Sequence, residues 1–494
     1  VSENKQRGFL WNTSVYLIST AFSVVVTIIV LPVYTRFLSP ADYGVVALFV
    51  MFGNLTAGVI SVNLHFASFR YYFQFKNDRE KLRTICSTNA LAVILIFLIF
   101  GVLIYFIAGW LSSFLFQGRL MTGLIFLSFV GGCLEYLILY LTTLLTAEVR
   151  SAQYAAIIIA RIVLNTAFSF YFIFCRSMTY LALIYALLLS QTVTLGALLA
   201  INRELFALRF SWTDLKMSLQ LAFPLVPNSM VGLLYSSFDK TMLNKYKSTE
   251  SVGYYSFGER FSVLLKMLQD GVAKSWDPYF MNKAHENTAT AREAIIKRFY
   301  EISFLFMIIG LCIIYYSEEM IKILTTKAYY PSMYVVPIYV YFYLFAIIAT
   351  LAMNQVSFSK KMGYLLPVSI MGVVINMTLN IILIPRYGAI GAACAIAASA
   401  LSNNLMLLYF GMKLYPLPLG KWRLLGMYLL LIGFTAPVYL LMPVDCSFLF
   451  KVMIKAAIII LFALIGILLH YVSRSSLKHV FGKIRGAATS LAGI

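Results

Sequence analysis

CSTNALAVILIFLIFGVLIYFIAGWL, residues Cys86–Leu111, contains no charged side chain. At about 1.5 Å per residue, a helix of this length crosses the roughly 30 Å of hydrocarbon in a bilayer. Similar runs fill the 494-residue chain. Before it lie about Trp11–Tyr34 and Tyr43–Asn63, and after it Leu120–Ala147, Tyr154–Phe174 and Tyr180–Ile201. The second half supplies about Leu219–Leu243, Val252–Trp276, Ile302–Tyr316, Tyr334–Phe358, Tyr364–Ile384, Tyr387–Phe410, Trp422–Met442 and Val452–Tyr471. Some fourteen spans joined by short polar loops predict an all-α polytopic membrane protein, because helices satisfy their own backbone in lipid.

Composition agrees, with 61% hydrophobic and 12% charged residues, against about 25% charged in a soluble domain. The net charge of +20 sits mostly in loops, so it predicts membrane orientation rather than nucleic-acid binding. With the N-terminus in the cytoplasm, about 25 of 39 basic residues fall inside and about 11 outside, which predicts cytoplasmic termini. The first residues hold Glu3, Lys5 and Arg7 and no small-residue cleavage site, so no removable signal peptide is expected.

Several function classes are excluded by what the loops lack. Outer loops of about 5 to 20 residues are too short to fold into a catalytic domain, and the longest inner stretch, Met281–Tyr300, is amphipathic rather than nucleotide-binding. No phosphate-loop or zinc motif occurs, and no metal or cofactor is expected beyond a possible coupling ion, H+ or Na+. Cys86, Cys133, Cys175, Cys312, Cys394 and Cys446 are scattered singly and read as small apolar residues. His65, His285, His470 and His479 read as surface or interfacial.

The chain also reads as duplicated. TRFLSPADYG at Thr35–Gly44 aligns with NKYKSTESVG at Asn244–Gly253, matching Arg36 with Lys245, Phe37 with Tyr246, Ser39 with Ser248 and Gly44 with Gly253. Asn165 and Asn376 correspond approximately. Six spans separate the copies, so both have one orientation, as in parallel-repeat transporters.

LPVYTRFLSPADYGVVALF at Leu31–Phe49 and PRYGAIGAACAIAAS at Pro385–Ser399 resemble the polysaccharide-transporter branch of the multidrug/oligosaccharidyl-lipid/polysaccharide exporter superfamily, which includes O-antigen and exopolysaccharide flippases. The resemblance extends over the chain in length, span count and loop pattern. It implies two six-helix lobes, residues 1–210 and 211–415, around a central cavity, with residues 416–494 supplying two further helices and a basic cytoplasmic tail.

Charges inside spans are expensive and therefore informative. Arg161, with no acid within a helical turn, reads either as a cavity-facing anion site or as the interhelical partner of Glu135. Glu259, Lys266, Asp270, Lys274 and Asp277 form one stripe on the eighth span, with Arg260 just off it. That stripe reads as a substrate-lining face or as an i,i+4 ion ladder. Lys240 adjoins Asp239 near the outer end of the seventh span, which Pro224 and Pro227 are expected to bend. Arg36 and Arg70 flank the second span as interfacial anchors or headgroup contacts.

These readings predict a flippase, not an enzyme, moving a polyprenyl-pyrophosphate-linked oligosaccharide from the inner to the outer leaflet of a bacterial cytoplasmic membrane by alternating access. Arg161, Arg260 and Lys266 are expected to neutralise the pyrophosphate, with Lys240, Lys274, Arg36 and Arg70 contributing. Glu135, Glu259 and Asp270 are the candidate coupling carboxylates. Membrane lipids, the lipid-linked oligosaccharide and polysaccharide-assembly proteins are the expected partners. The alternatives are a multidrug or cation antiporter of the same superfamily, whose cavity should be acidic, and a membrane glycan polymerase or ligase, which should carry a large outer loop.

Overall fold

A computed structural model describes residues 25–115, 121–207, 209–441 and 448–471, together with Val15, Ser19, Phe22 and Ser23. Among the described residues every regular element is a helix and no strand occurs. In chain order they are α1 (Val25–Phe37), α2 (Pro40–Ile60), α3 (Leu64–Gln74), α4 (Arg79–Leu115), α5 (Thr122–Ala147), α6 (Ser151–Arg176) and α7 (Tyr180–Ile201). They continue as α8 (Trp212–Ala222), α9 (Val226–Tyr246), α10 (Thr249–Glu286), α11 (Ala289–Leu324), α12 (Val335–Phe358), α13 (Leu365–Leu414), α14 (Lys421–Leu441) and α15 (Phe448–Leu468). Nine of the described spans are long and apolar enough to cross a membrane, ten when the bent pair α8–α9 is one span. The chain is a multi-pass helical membrane protein.

Helices outrun the apolar segments that announce them. The stretch Met281–Tyr300, expected as a loop, is helical except for a short break between α10 and α11, since hydropathy senses lipid contact while helical hydrogen bonding continues into water. The spans expected on either side of Pro385 abut within α13, where Gly388 alone turns the backbone at φ +58°, a conformation open to glycine without steric cost. The span expected to end at Asn63 resumes as α3 after Val62 and Asn63 take left-handed φ values of 52° and 55°. The pair α8–α9 is bent by 50° around Pro224 and Pro227, as their missing amide hydrogens permit.

Two compact units make up the chain. The first gathers Val1–Phe257, Leu324–Pro331 and Ser369–Ala395, the second Gly258–Ile323, Ser332–Val368 and Ile396–Ile494. In the first unit, α2 and α5 touch backbone to backbone. A Cβ on Gly53 would strike the Ser128 carbonyl, and one on Gly132 would strike Gly53, so small residues permit the close approach usual between membrane helices. A buried polar thread ties α3, α4 and α5. Asn89 Nδ2 donates to Ser68 Oγ at 2.9 Å, Ser68 and Tyr140 share a hydrogen bond of 2.8 Å, and Tyr140 Oη donates to the Cys86 carbonyl at 2.9 Å.

In the second unit α14 and α15 are built into the packing. Phe304 of α11 stacks on Phe462 and Tyr471 at ring separations of 4.8 and 5.7 Å. Lys455 of α15 is wholly buried and donates to Glu318 at 3.2 Å and Glu319 at 2.5 Å. Lys322 and Lys451 also approach Glu318, at 2.7 and 3.5 Å. Cys86, Cys133, Cys175, Cys312 and Cys394 are free thiols; Cys446 and His479 lie outside the described residues.

Candidate functional site

In the first unit, three helices each contribute one polar side chain to a single cluster. Arg161 of α6 donates from Nη1 to Glu135 Oε1 of α5 at 3.1 Å and from Nη2 to the other carboxylate oxygen. Gln191 of α7 donates from Nε2 to Glu135 Oε2 at 2.9 Å. Of the two readings open for Arg161, the geometry realises the interhelical partner, so this guanidinium is not a solitary cation. The pair is not sealed: the Glu135 side chain is 37% exposed and that of Arg161 19%. Gln191 is buried, and its Oε1 has no hydrogen-bond partner among the described residues. A two-point fork of this kind suits a planar oxyanion, and it exchanges carboxylate for phosphate without changing donor geometry.

A second polar node in the same unit joins the two interrupted spans. Asn63, at the break between α2 and α3, donates to Ser229 Oγ at 3.0 Å, and its carbonyl oxygen lies 3.2 Å from the same hydroxyl. Two residues on, His65 Nδ1 lies 3.0 Å from Tyr136 Oη, which also accepts the His65 backbone N–H at 3.2 Å. His65 is therefore half-buried and hydrogen-bonded.

Lys240 is half-buried, and its backbone N–H donates to Asp239 at 2.8 Å while Tyr255 Oη bonds the other carboxylate oxygen. Arg36 and Arg70 are exposed, at the end of α1 and within α3. Neither joins the Arg161 cluster.

The second unit holds the stripe on α10. One face of the helix packs on α12. A Cβ on Gly258 would crowd Val335, Gln269 Nε2 donates to the Tyr343 carbonyl at 2.8 Å, and Asn354 Nδ2 donates to Asp277 at 2.8 Å. Arg260, Lys266, Asp270 and Lys274 stand exposed and Glu259 half-exposed. Of the two readings of the stripe, the ion ladder is not formed among Lys266, Asp270 and Lys274, which make no salt bridge with one another. Their intervals allow the pairing, but solvated side chains gain little from it. α10 is not among the helices apolar enough to cross a membrane, and charges so exposed on it require an aqueous boundary rather than lipid.

Arg161 and Glu135 were visible as charges in apolar runs. Gln191, Asn63, Ser229 and the Lys455 cluster gave no such signal, because uncharged polar residues barely perturb hydropathy and Lys455 lies near a span end.

A family model described as polysaccharide biosynthesis protein matches residues 33–334. A probable low-salt glycan biosynthesis flippase of Haloferax volcanii, Agl15, is 25% identical over 227 residues, 46% of this chain and 48% of that protein. The match therefore spans about half the length of that relative. Among solved structures, the lipid II flippase MurJ in an inward closed conformation superposes with a TM-score of 0.71 at 18% identity, over 91% of this chain and 97% of its own. An inward-facing multidrug resistance transporter of the MATE family gives 0.62 at 14% identity, over 79% and 94%. A transporter of the same superfamily from Pyrococcus furiosus gives 0.53 at 13%, over 82% and 95%. These structures share the fold of this chain.

Proposed function

The chain belongs to the polysaccharide biosynthesis protein family, the polysaccharide-transporter branch of the multidrug/oligosaccharidyl-lipid/polysaccharide exporter superfamily, and from that premise we propose that it flips a lipid-linked oligosaccharide across its membrane. The substrate in this reading is a polyprenyl-pyrophosphate-linked repeat unit, carried from the inner to the outer leaflet of a bacterial cytoplasmic membrane by alternating access, with both termini cytoplasmic.

The observation that carries it is the Arg161–Glu135–Gln191 cluster, a partly exposed two-point fork that would receive an oxyanion among the helices of the first unit. A pyrophosphate cannot cross hydrocarbon unaided, because each unsatisfied polar group costs several kcal/mol there. Arg161 would exchange Glu135 for a phosphate oxygen, and a proton or Na+ taken up by the displaced carboxylate would balance the charge. Each elementary charge moved through 100 mV is worth about 2.3 kcal/mol, enough to bias the cycle without an ATPase. Arg260 and Lys266 on α10 supply further positive charge, and Glu259 and Asp270 are the alternative coupling carboxylates. Lys240, Lys274, Arg36 and Arg70 complete the cationic set, and the greasy tail stays in lipid. Membrane lipids and polysaccharide-assembly proteins complete the partners. The basic excess within the spans argues against a carrier of organic cations.

The test is to replace Arg161, Arg260 and Lys266 singly with Ala and to measure lipid-linked glycan on the outer leaflet. Delivery should fall with insertion unchanged; full delivery by all three variants would sink the proposal.

A further inference from the structure

We infer that one end of the first unit is a receiving rim for a lipid diphosphate, built from two cation pairs that the internal repeat has duplicated. The inference rests on the proposed function, whose substrate must be released as well as bound.

Six basic side chains, Arg36, Arg176, Lys245, Lys247, Lys327 and Arg386, are exposed where α1, α6, α9 and the first arm of α13 finish and where α11 turns into α12. Contacts place them at one end. The rings of Phe37 and Phe174 meet at 5.1 Å, which brings together the ends of α1 and α6 that carry Arg36 and Arg176. Thr326 Oγ1 donates to the Thr35 carbonyl at 3.2 Å, bringing Lys327 alongside. The Lys247 side chain approaches within 3.7 Å of the Cβ position of Gly388, next to Arg386. Arg36 and Lys245 are matched residues of the repeat, and Arg176 and Arg386 close the fifth and eleventh spans at nearly the same offset.

Both ends of the unit carry exposed cations: at the other end Arg70, Lys76, Arg79 and Lys216 also form no salt bridge among the described residues, although three of their neighbours do. At the far end Lys81, Arg150 and Arg209 bind Asp214, Glu148 and Glu80 at 2.6, 2.7 and 2.5 Å. Among the described residues none of the six rim cations forms a salt bridge. Cations without acidic partners at one end repel one another, so a polyanion that spans two of them relieves a standing cost. Simple anchoring in headgroups does not call for such pairing by repeat, nor for a basic surface on the translocated side, where the orientation rule depletes Lys and Arg.

A closed crossing lies beside these cations. A Cβ on Gly44 would strike the Thr249 carbonyl and one on Gly253 the Pro40 carbonyl, and each colliding pair is the other's repeat image. Tyr43, Phe257 and Tyr329 fill the crossing, with Tyr329 Oη donating to the Leu38 carbonyl at 3.0 Å. When this seal parts, the cations stand at its mouth and take over the diphosphate from the interior site.

The experiment measures binding of geranylgeranyl diphosphate to the full chain in neutral-lipid nanodiscs. The variants are Arg36→Gln with Arg176→Gln, and Lys245→Gln with Lys247→Gln and Arg386→Gln; Lys replacements at the arginines serve as charge-preserving controls. Each neutralised set should weaken the diphosphate about three- to tenfold, at the strength of exposed ion pairs, while the Lys controls retain binding. Unchanged affinity in both neutralised sets overturns the rim. So does displacement of the probe by an equal concentration of phosphatidylglycerol, which would make the surface a general anionic-lipid contact. Binding is read without transport, so a failure of flipping with intact rim binding strikes the proposed function alone.

Discussion

Arg161 gives both ends of its fork to Glu135, so either residue alone is left with a partly buried charge that its environment no longer answers. Arg161→Met and Glu135→Leu should each cost about 1–2 kcal/mol, discounted from the value for fully buried pairs because Glu135 is partly solvated. The double variant should lose less than the sum, measured as a double-mutant cycle of thermal unfolding in detergent; strictly additive losses would mean the fork holds nothing together. Both residues were legible in the sequence because a charge inside an apolar run has few harmless explanations. Gln191 was not, since LLLSQTVT hides an amide that hydropathy scores as one polar residue among several. The Arg161–Glu135 pairing itself was one of two readings that spacing left open, because partners on different helices have no fixed sequence interval.

Interrupted helices show how elements are tuned. Val62 sits in the left-handed region, which costs an L-residue about 1–2 kcal/mol and is worse for a β-branched one. Val62→Gly should raise the melting temperature, the relief exceeding the roughly 0.5–1 kcal/mol of added chain entropy; a lower melting temperature would show that the Val62 side chain matters more than its backbone. At the other extreme Lys455 is wholly buried between Glu318 and Glu319. Lys455→Met should destabilise by about 3 kcal/mol, chiefly through Glu319, since Glu318 keeps Lys322 and Lys451, and adding Glu319→Gln should recover part of that. Thermal unfolding of the two variants side by side checks the recovery. Apolar runs marked where these elements lie in the membrane but not where they stop. Backbone hydrogen bonding carried α10 and α11 beyond the lipid, and left-handed turns split α2 from α3 without any Gly or Pro to announce it.

For the whole molecule, four matches in ten residues together with the six spans between them suggest a parallel repeat, and the way the two segments meet accounts for two of the matched residues. Gly44 and Gly253 recur because each lies against the backbone of the opposite copy, a constraint that preserves a small residue while its neighbours drift. Alternating access requires this reciprocal crossing to part, and nearby side chains allow a direct test. Thr35 Oγ1 lies 3.3 Å from the Leu324 carbonyl and Thr326 Oγ1 3.2 Å from the Thr35 carbonyl, so cysteines at positions 35 and 326 in a background without native thiols should oxidise to a disulfide. The cross-linked protein should insert normally yet deliver no lipid-linked glycan to the outer leaflet, and reduction should restore delivery. Full delivery by quantitatively cross-linked protein would mean that this end never opens, and the substrate would then need a route that leaves the repeat crossing closed throughout the cycle.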